Sequence, residues 1–126
     1  MAGKQNGEHR AKRVLVVDDD LDLADALVAF LRGWGLQVDF AINGYAALDV
    51  AGRMKPDLIF LDIGLPDFNG WQLARRLRQI SGLDGVRIAI VSARGAPEDI
   101  RRSSETGCEV HLVKPLDLRT VESLVL

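Results

Sequence analysis

The sequence predicts a single doubly wound α/β domain, a five-stranded parallel sheet with helices on both faces, on the strength of three features. Short apolar runs alternate with stretches of helical periodicity, as successive βαβ units require. The run Leu58-Ile59-Phe60-Leu61 is continuous rather than alternating, which marks a strand buried on both faces of a parallel sheet. That run ends in a carboxylate, Asp62, and then in a turn-rich segment containing Gly64, Pro66, Asp67, Asn69 and Gly70. In folds of this class, ligands bind beyond the carboxyl ends of the strands, so Asp62 stands where chemistry is done.

The elements follow in order. Residues 1–12 are polar and aperiodic and are expected to form a flexible N-terminal tail ahead of a domain spanning 13–126. Arg13 to Val17 is the first buried strand and runs into Asp18-Asp19-Asp20. The first helix spans about Leu21 to Gly33, with Leu23, Leu27, Phe30, Leu31 and Trp34 at inward spacings of three and four. Asp20 and Asp22 suit its positive end, and Gly33 and Gly35 bracket its stop. Leu36 to Ala41 is a second strand, and its Val38/Phe40 pattern suits an edge. Asn43-Gly44 opens a second helix to about Met54 carrying Tyr45, Leu48 and Ala51, and Pro56 separates it from the third strand, Asp57 to Asp62. The third helix runs from Gly70 to about Ile80, with Trp71, Ala74, Leu77 and either Leu73 or Ile80 inward. Val86 to Val91 is the fourth strand, followed by Ser92-Ala93. Pro97 suits the first turn of a fourth helix to Thr106. Glu109 to Val113 is the fifth strand, ending in Lys114-Pro115, and Asp117 caps a last helix from Leu118 to about Val125.

Composition excludes several classes. At 126 residues and 48% hydrophobic, the chain suits one domain with a real core. A net charge of −2 creates no global field toward nucleic acid or membrane, and no apolar segment reaches the roughly 18 residues of a membrane span. Cys108 is the only cysteine, so no internal disulfide forms, and a reducing cytoplasm is the simplest location. With His9 and His111 the only histidines, no Cys/His metal cluster can be assembled.

Five strands and five helices of this size suit the flavodoxin-like strand order 2-1-3-4-5. Strands one and three then meet at the switch point, bringing Asp18 and Asp19 beside Asp62, while Ser92 and Lys114 end strands four and five on the same rim. Carboxylates so close repel, and a divalent cation relieves them; hard oxygen ligands point to Mg²⁺ or a similar ion. Lys114 offers a compact charge to a phosphoryl oxygen or a carboxylate, and an aspartate among cation, lysine and hydroxyl is a suitable acyl-phosphate nucleophile. Each residue alone has a plainer role: the acidic triplet as a helix cap, Asp62 as a turn former, Ser92 and Lys114 as strand-end and loop residues. Their joint placement at the ends of four buried strands favours the site.

The motifs Val14-Leu-Val-Val-Asp-Asp-Asp20, Pro56-Asp-Leu-Ile-Phe-Leu-Asp-Ile-Gly-Leu-Pro66 with Asn69-Gly70, Val91-Ser-Ala93 and Val113-Lys-Pro115 closely resemble the receiver domain of bacterial two-component response regulators, over residues 13 to 126. The resemblance implies that Asp62 accepts a phosphoryl group from the phosphohistidine of a histidine kinase or phosphotransfer protein. It implies Mg²⁺ or Mn²⁺ held by Asp19 directly, by Asp18 mainly through water, by Asp62 and by the backbone carbonyl of Gly64. Ser92 and Lys114 would bind the phosphoryl group, with a cis peptide bond before Pro115. The partner would dock on the first helix and adjacent loops. Helix four, strand five and helix five are the face through which a homodimer is open to consideration.

The family usually carries Tyr or Phe three residues before the lysine; here His111 stands there, so an aromatic switch is replaced by a titratable ring expected to change rotamer. Helix four holds only one large apolar residue, Ile100, and is expected to be weakly anchored. The expected role is a phosphorylation-controlled switch or relay that turns over no metabolite. Two alternatives stand beside it: a small Asp-nucleophile phosphatase of the haloacid-dehalogenase type, whose Asp-x-Asp motif the acidic triplet imitates, and a pseudo-receiver that binds without phosphorylation.

Overall fold

The computed structural model describes residues 11–126. The strands are β1 (Arg13–Val17), β2 (Gln37–Ala41), β3 (Leu58–Asp62), β4 (Arg87–Ser92) and β5 (Val110–Val113), and the helices are α1 (Leu21–Gly33), α2 (Gly44–Met54), α3 (Gly70–Arg78), α4 (Pro97–Glu105) and α5 (Leu118–Val125). All pairings are parallel and the order is β2-β1-β3-β4-β5, as expected. Most of the predicted tail lies outside the described residues. Its last two residues are tied down: the buried Ala11 donates its N–H to the Val125 carbonyl, and Lys12 N–H donates to the Asp57 carboxylate.

The period of two in the strands sorts the core into two layers. Leu15, Val17, Ile59, Leu61, Ile88 and Ile90 point toward Ala47 and Ala51 of α2 and Trp71, Leu73 and Leu77 of α3. Val14, Val16, Leu58, Phe60, Ala89 and Val91 point toward Ala24, Leu27 and Leu31 of α1 and Val121 and Val125 of α5. Every residue of β3 is buried, which is why that strand reads as a continuous apolar run. The large residues are not always the inward ones. In α1 the buried stripe is Ala24, Leu27, Val28 and Leu31, with Leu23, Phe30 and Trp34 only half-buried on its flank. In α2, Tyr45 is 69% exposed rather than inward and meets Phe68 edge to face.

Short polar side chains start four helices. Asp20 accepts from Leu23 N–H, Asn43 from Ala46 N–H, Asn69 from Trp71 N–H and Asp117 from Arg119 N–H. Only α4 lacks a side-chain cap and begins with Pro97. At the first residue of α3, a Cβ on Gly70 would lie 2.4 Å from the Cα of Ile63, backbone that cannot step aside. Gly70→Ala is therefore expected to cost about 1–3 kcal/mol, measured by urea denaturation.

Candidate phosphoryl and metal site

Register aligns the strand ends. Val17 pairs with both Ala41 and Leu61, Asp62 pairs with Val91, and Ser92 pairs with Val113. The residues just beyond these pairs therefore share one rim. One carboxylate oxygen from each of Asp18, Asp19 and Asp62 lies within 4.8 Å of the others. Asp18 and Asp62 are buried at the rim and Asp19 is exposed. Lys114 reaches in from the end of β5, with its Nζ 3.0 Å from Asp18 Oδ2 and 3.4 Å from Asp62 Oδ2. The Lys114–Pro115 peptide is cis. The other oxygens are held by the backbone: Asp18 Oδ1 accepts from Asp20 N–H and Asp62 Oδ1 from Gly64 N–H. Asp20, third in the acidic run, is spent on capping α1 and stays out of the cluster.

Burial raises the pKa of Asp18, an effect added to by the charge of Asp62 and only partly offset by the Asp20 amide and Lys114. Burial alone would lower the pKa of Lys114, but the two carboxylates outweigh it and hold the ammonium charged. Clustered carboxylates with no nitrogen or sulfur ligand among them fit a hard divalent cation.

Ser92 ends β4, buried, and its Oγ accepts from the N–H of Arg94 at 2.9 Å. The carbonyl of that same residue faces Nε2 of His111 at 2.7 Å. A carbonyl can only accept, so Nε2 carries a proton, and Nδ1 is hydrogen-bonded to Ser103 Oγ at 2.7 Å. Ser103, buried on α4, in turn accepts from Trp71 Nε1–H at 2.9 Å. Arg94 also pairs with the buried Asp99 of α4 at 2.9 Å, and the Arg102 guanidinium stands 4.2 Å over the Trp71 ring. From α3, Arg78 donates to the carbonyls of Thr106 and Gly107 at the far end of α4.

The expectation for α4 is thus corrected in its physics. Ile100 is 44% exposed and anchors little, while the buried residues of the helix are polar, Asp99 and Ser103. Hydrogen bonds hold α4 where apolar packing does not. Among the described residues, no buried side-chain nitrogen or oxygen lacks a partner.

The β3–α3 loop carrying Gly64 is closed by a Gly64–Asn69 bridge and by Gly70 N–H on the Ile63 carbonyl. The Asp67 carboxylate leaves this loop to accept both Gly44 N–H at 2.7 Å and Tyr45 N–H at 3.0 Å at the start of α2. Desolvation opposes ionisation of Asp67, but those amides prevail and its pKa is lowered. Asp67, Asp99 and Ser103 are the residues whose roles sequence reasoning missed. Asp67 lay in the turn-rich segment after Asp62, and Asp99 and Ser103 in the helix already marked by its lack of apolar residues.

The switch point of this parallel doubly wound sheet, where such folds bind their ligands, holds an acidic cluster bridged by a lysine. Residues 14–126 match the family described as the response regulator receiver domain, and the chain belongs to that family. It is 31% identical over 114 residues to sporulation initiation phosphotransferase F of Bacillus subtilis, covering 90% of each chain. It is 38% identical over 104 residues to the DNA-binding response regulator MtrA of Mycobacterium tuberculosis strain H37Rv, covering 82% of this chain and 44% of MtrA. The chain spans about half the length of several curated relatives, including 54% of a 33% identical protein from Porphyra purpurea. Among solved structures, a two-component response regulator from Clostridium difficile superposes with a TM-score of 0.83 at 29% identity, covering 89% of this chain and 90% of that one. A response regulator from Burkholderia pseudomallei, solved with a phosphorylated aspartic acid and a calcium ion, gives 0.82 at 25% identity, covering 91% and 66%. Family membership supports the two-component signalling role and lends nothing to the phosphatase alternative.

Proposed function

We propose that Asp62 is the phosphoacceptor of a Mg²⁺-dependent phosphorelay switch. The observation that carries this is Lys114, held between Asp18 and Asp62 beside the exposed Asp19. Asp18, Asp19, Asp62 and the Gly64 carbonyl would hold Mg²⁺ or Mn²⁺, which when bound supplies charge neutralisation for an in-line phosphoryl transfer. An Asp62 carboxylate oxygen forms the new bond to phosphorus as the bond to the donor's imidazole nitrogen breaks. Lys114 Nζ then stands ready to pair with the phosphoryl oxygens, and the Ser92 hydroxyl to donate to them. The chain turns over no metabolite; it accepts the group and loses it by its own hydrolysis.

If Ser92 turns to the phosphoryl group, its oxygen leaves the Arg94 N–H, and the residue it releases is the one whose carbonyl His111 grips. The signal therefore reaches α4 through hydrogen bonds rather than through an aromatic ring. A groove of about 680 Å³ beside the site, lined by Leu23, Leu27, Phe30, Pro115 and Leu118, suits an apolar helix of a histidine kinase or phosphotransfer protein. Exposed Ile100, Val113 and Leu118 on α4, β5 and α5 favour that face for a homodimer, with no part for nucleic acid. A cytoplasmic location goes with such partners, and no helix among the described residues is long and apolar enough to cross a membrane.

The test is intact-mass spectrometry after incubation with a small acyl phosphate. One phosphoryl group is expected with Mg²⁺ and none with EDTA. Equal incorporation in EDTA would contradict the assignment.

A further inference from the structure

The loop that carries Gly64 is fastened to an element that takes no part in the phosphoryl site. Asp67, three residues beyond Gly64, places both carboxylate oxygens on the first two amides of α2, at 2.7 and 3.0 Å. The next residue, Phe68, packs so tightly on that helix start that a Cβ on Gly44 would lie 2.1 Å from its Cδ2. Tyr45 then covers the Phe68 ring from outside, with centroids 5.0 Å apart. Charge and shape thus interlock the loop with α2 at two consecutive positions on each side. Inside the loop, the Gly64–Asn69 bridge transmits that fastening back to Gly64. A short loop pinned at its tip and closed at its base has few ways to move its Gly64 carbonyl.

We infer that Asp67 is a positioning residue for metal binding: its clasp on the Gly44 and Tyr45 amides sets where the Gly64 carbonyl stands. This rests on the assignment of that carbonyl as a metal ligand. Asp67 touches neither the cation nor the phosphoryl group. Its effect runs through the loop, as outer partners of metal ligands act elsewhere.

The test is a Mg²⁺ titration of the whole chain, followed by the NMR shifts of the Asp19 and Gly64 amides, on the native protein, Asp67→Asn, Asp67→Ala and the control Asp49→Ala. Asp49 is an exposed partner of Arg53 on the same helix α2. The Mg²⁺ Kd is expected to rise on the order of tenfold in Asp67→Ala. It should rise less in Asp67→Asn, whose amide oxygen keeps one acceptor, and stay unchanged in Asp49→Ala. Thermal melts in EDTA, run in parallel, establish that each variant is folded at the titration temperature. If Asp67→Ala and Asp67→Asn bind Mg²⁺ like the native protein, whatever their melting temperatures, Asp67 is merely structural and the inference is overturned. If the native protein itself shows no saturable Mg²⁺ shift at these amides, the metal assignment fails first.

Discussion

Lys114→Met is expected to slow phosphoryl acceptance at Asp62 on the order of a hundredfold or more at saturating Mg²⁺, the usual effect of removing one charge-stabilising donor from a transfer site. Its ammonium is the only cation placed within reach of both Asp18 and Asp62 among the described residues. Without it, an incoming phosphoryl group meets three carboxylates with the metal alone to offset them. Met keeps the length of the stem and its packing, so a loss of rate reports the charge. Lys114→Arg should recover only part of the rate, because a planar fork does not sit where a compact ammonium touches two separate carboxylates. Stopped acyl-phosphate reactions analysed by intact mass give these rates, and a Lys114→Met rate within about twofold of native would remove Lys114 from the transfer step.

Ser103→Ala is expected to destabilise the fold by about 2–4 kcal/mol, although it deletes a single oxygen. That oxygen accepts from the Trp71 indole N–H and is hydrogen-bonded to His111 Nδ1. Its loss leaves a buried indole N–H and a half-buried ring nitrogen without partners, each costing about 1–3 kcal/mol. Ile100→Ala, which removes far more apolar surface from the same helix, should change stability by no more than about 0.5 kcal/mol, because Ile100 is already exposed. The order of these effects distinguishes polar from apolar anchoring of α4. Urea denaturation of the two variants measures it, and a larger loss in Ile100→Ala would reverse the account of that helix.

That inversion shows where sequence pattern stops being informative. Asp18, Asp62, Ser92 and Lys114 could be found because each closes a short strand, buried in β1, β3 and β4 and only half-buried in β5, and the parallel topology turns strand ends into one rim. The strand order was legible for the same reason. The anchoring of α4 was not, because its partners are polar and distant: Trp71 and Ser103 lie 32 positions apart, and no periodicity relates them. Nor does side-chain size identify the face of a helix that meets the sheet. On α1 the buried stripe mixes small and large residues, Ala24, Leu27, Val28 and Leu31, while the bulky Leu23 and Phe30 are left to line the groove beside Lys114. Asp67 looked like one more turn residue, since the amides it binds belong to a helix start 22 and 23 positions earlier.

The central claim is that the phosphoryl group resides on Asp62. Borohydride reduces an acyl phosphate to an alcohol, so protein phosphorylated with Mg²⁺ and an acyl phosphate, reduced and digested, carries its mark at the acceptor. Peptide mass spectrometry should find homoserine at position 62 and nowhere else, and should find none in Asp62→Asn. Reduction at Asp18 or Asp19, or undiminished phosphoryl uptake by Asp62→Asn, would contradict it.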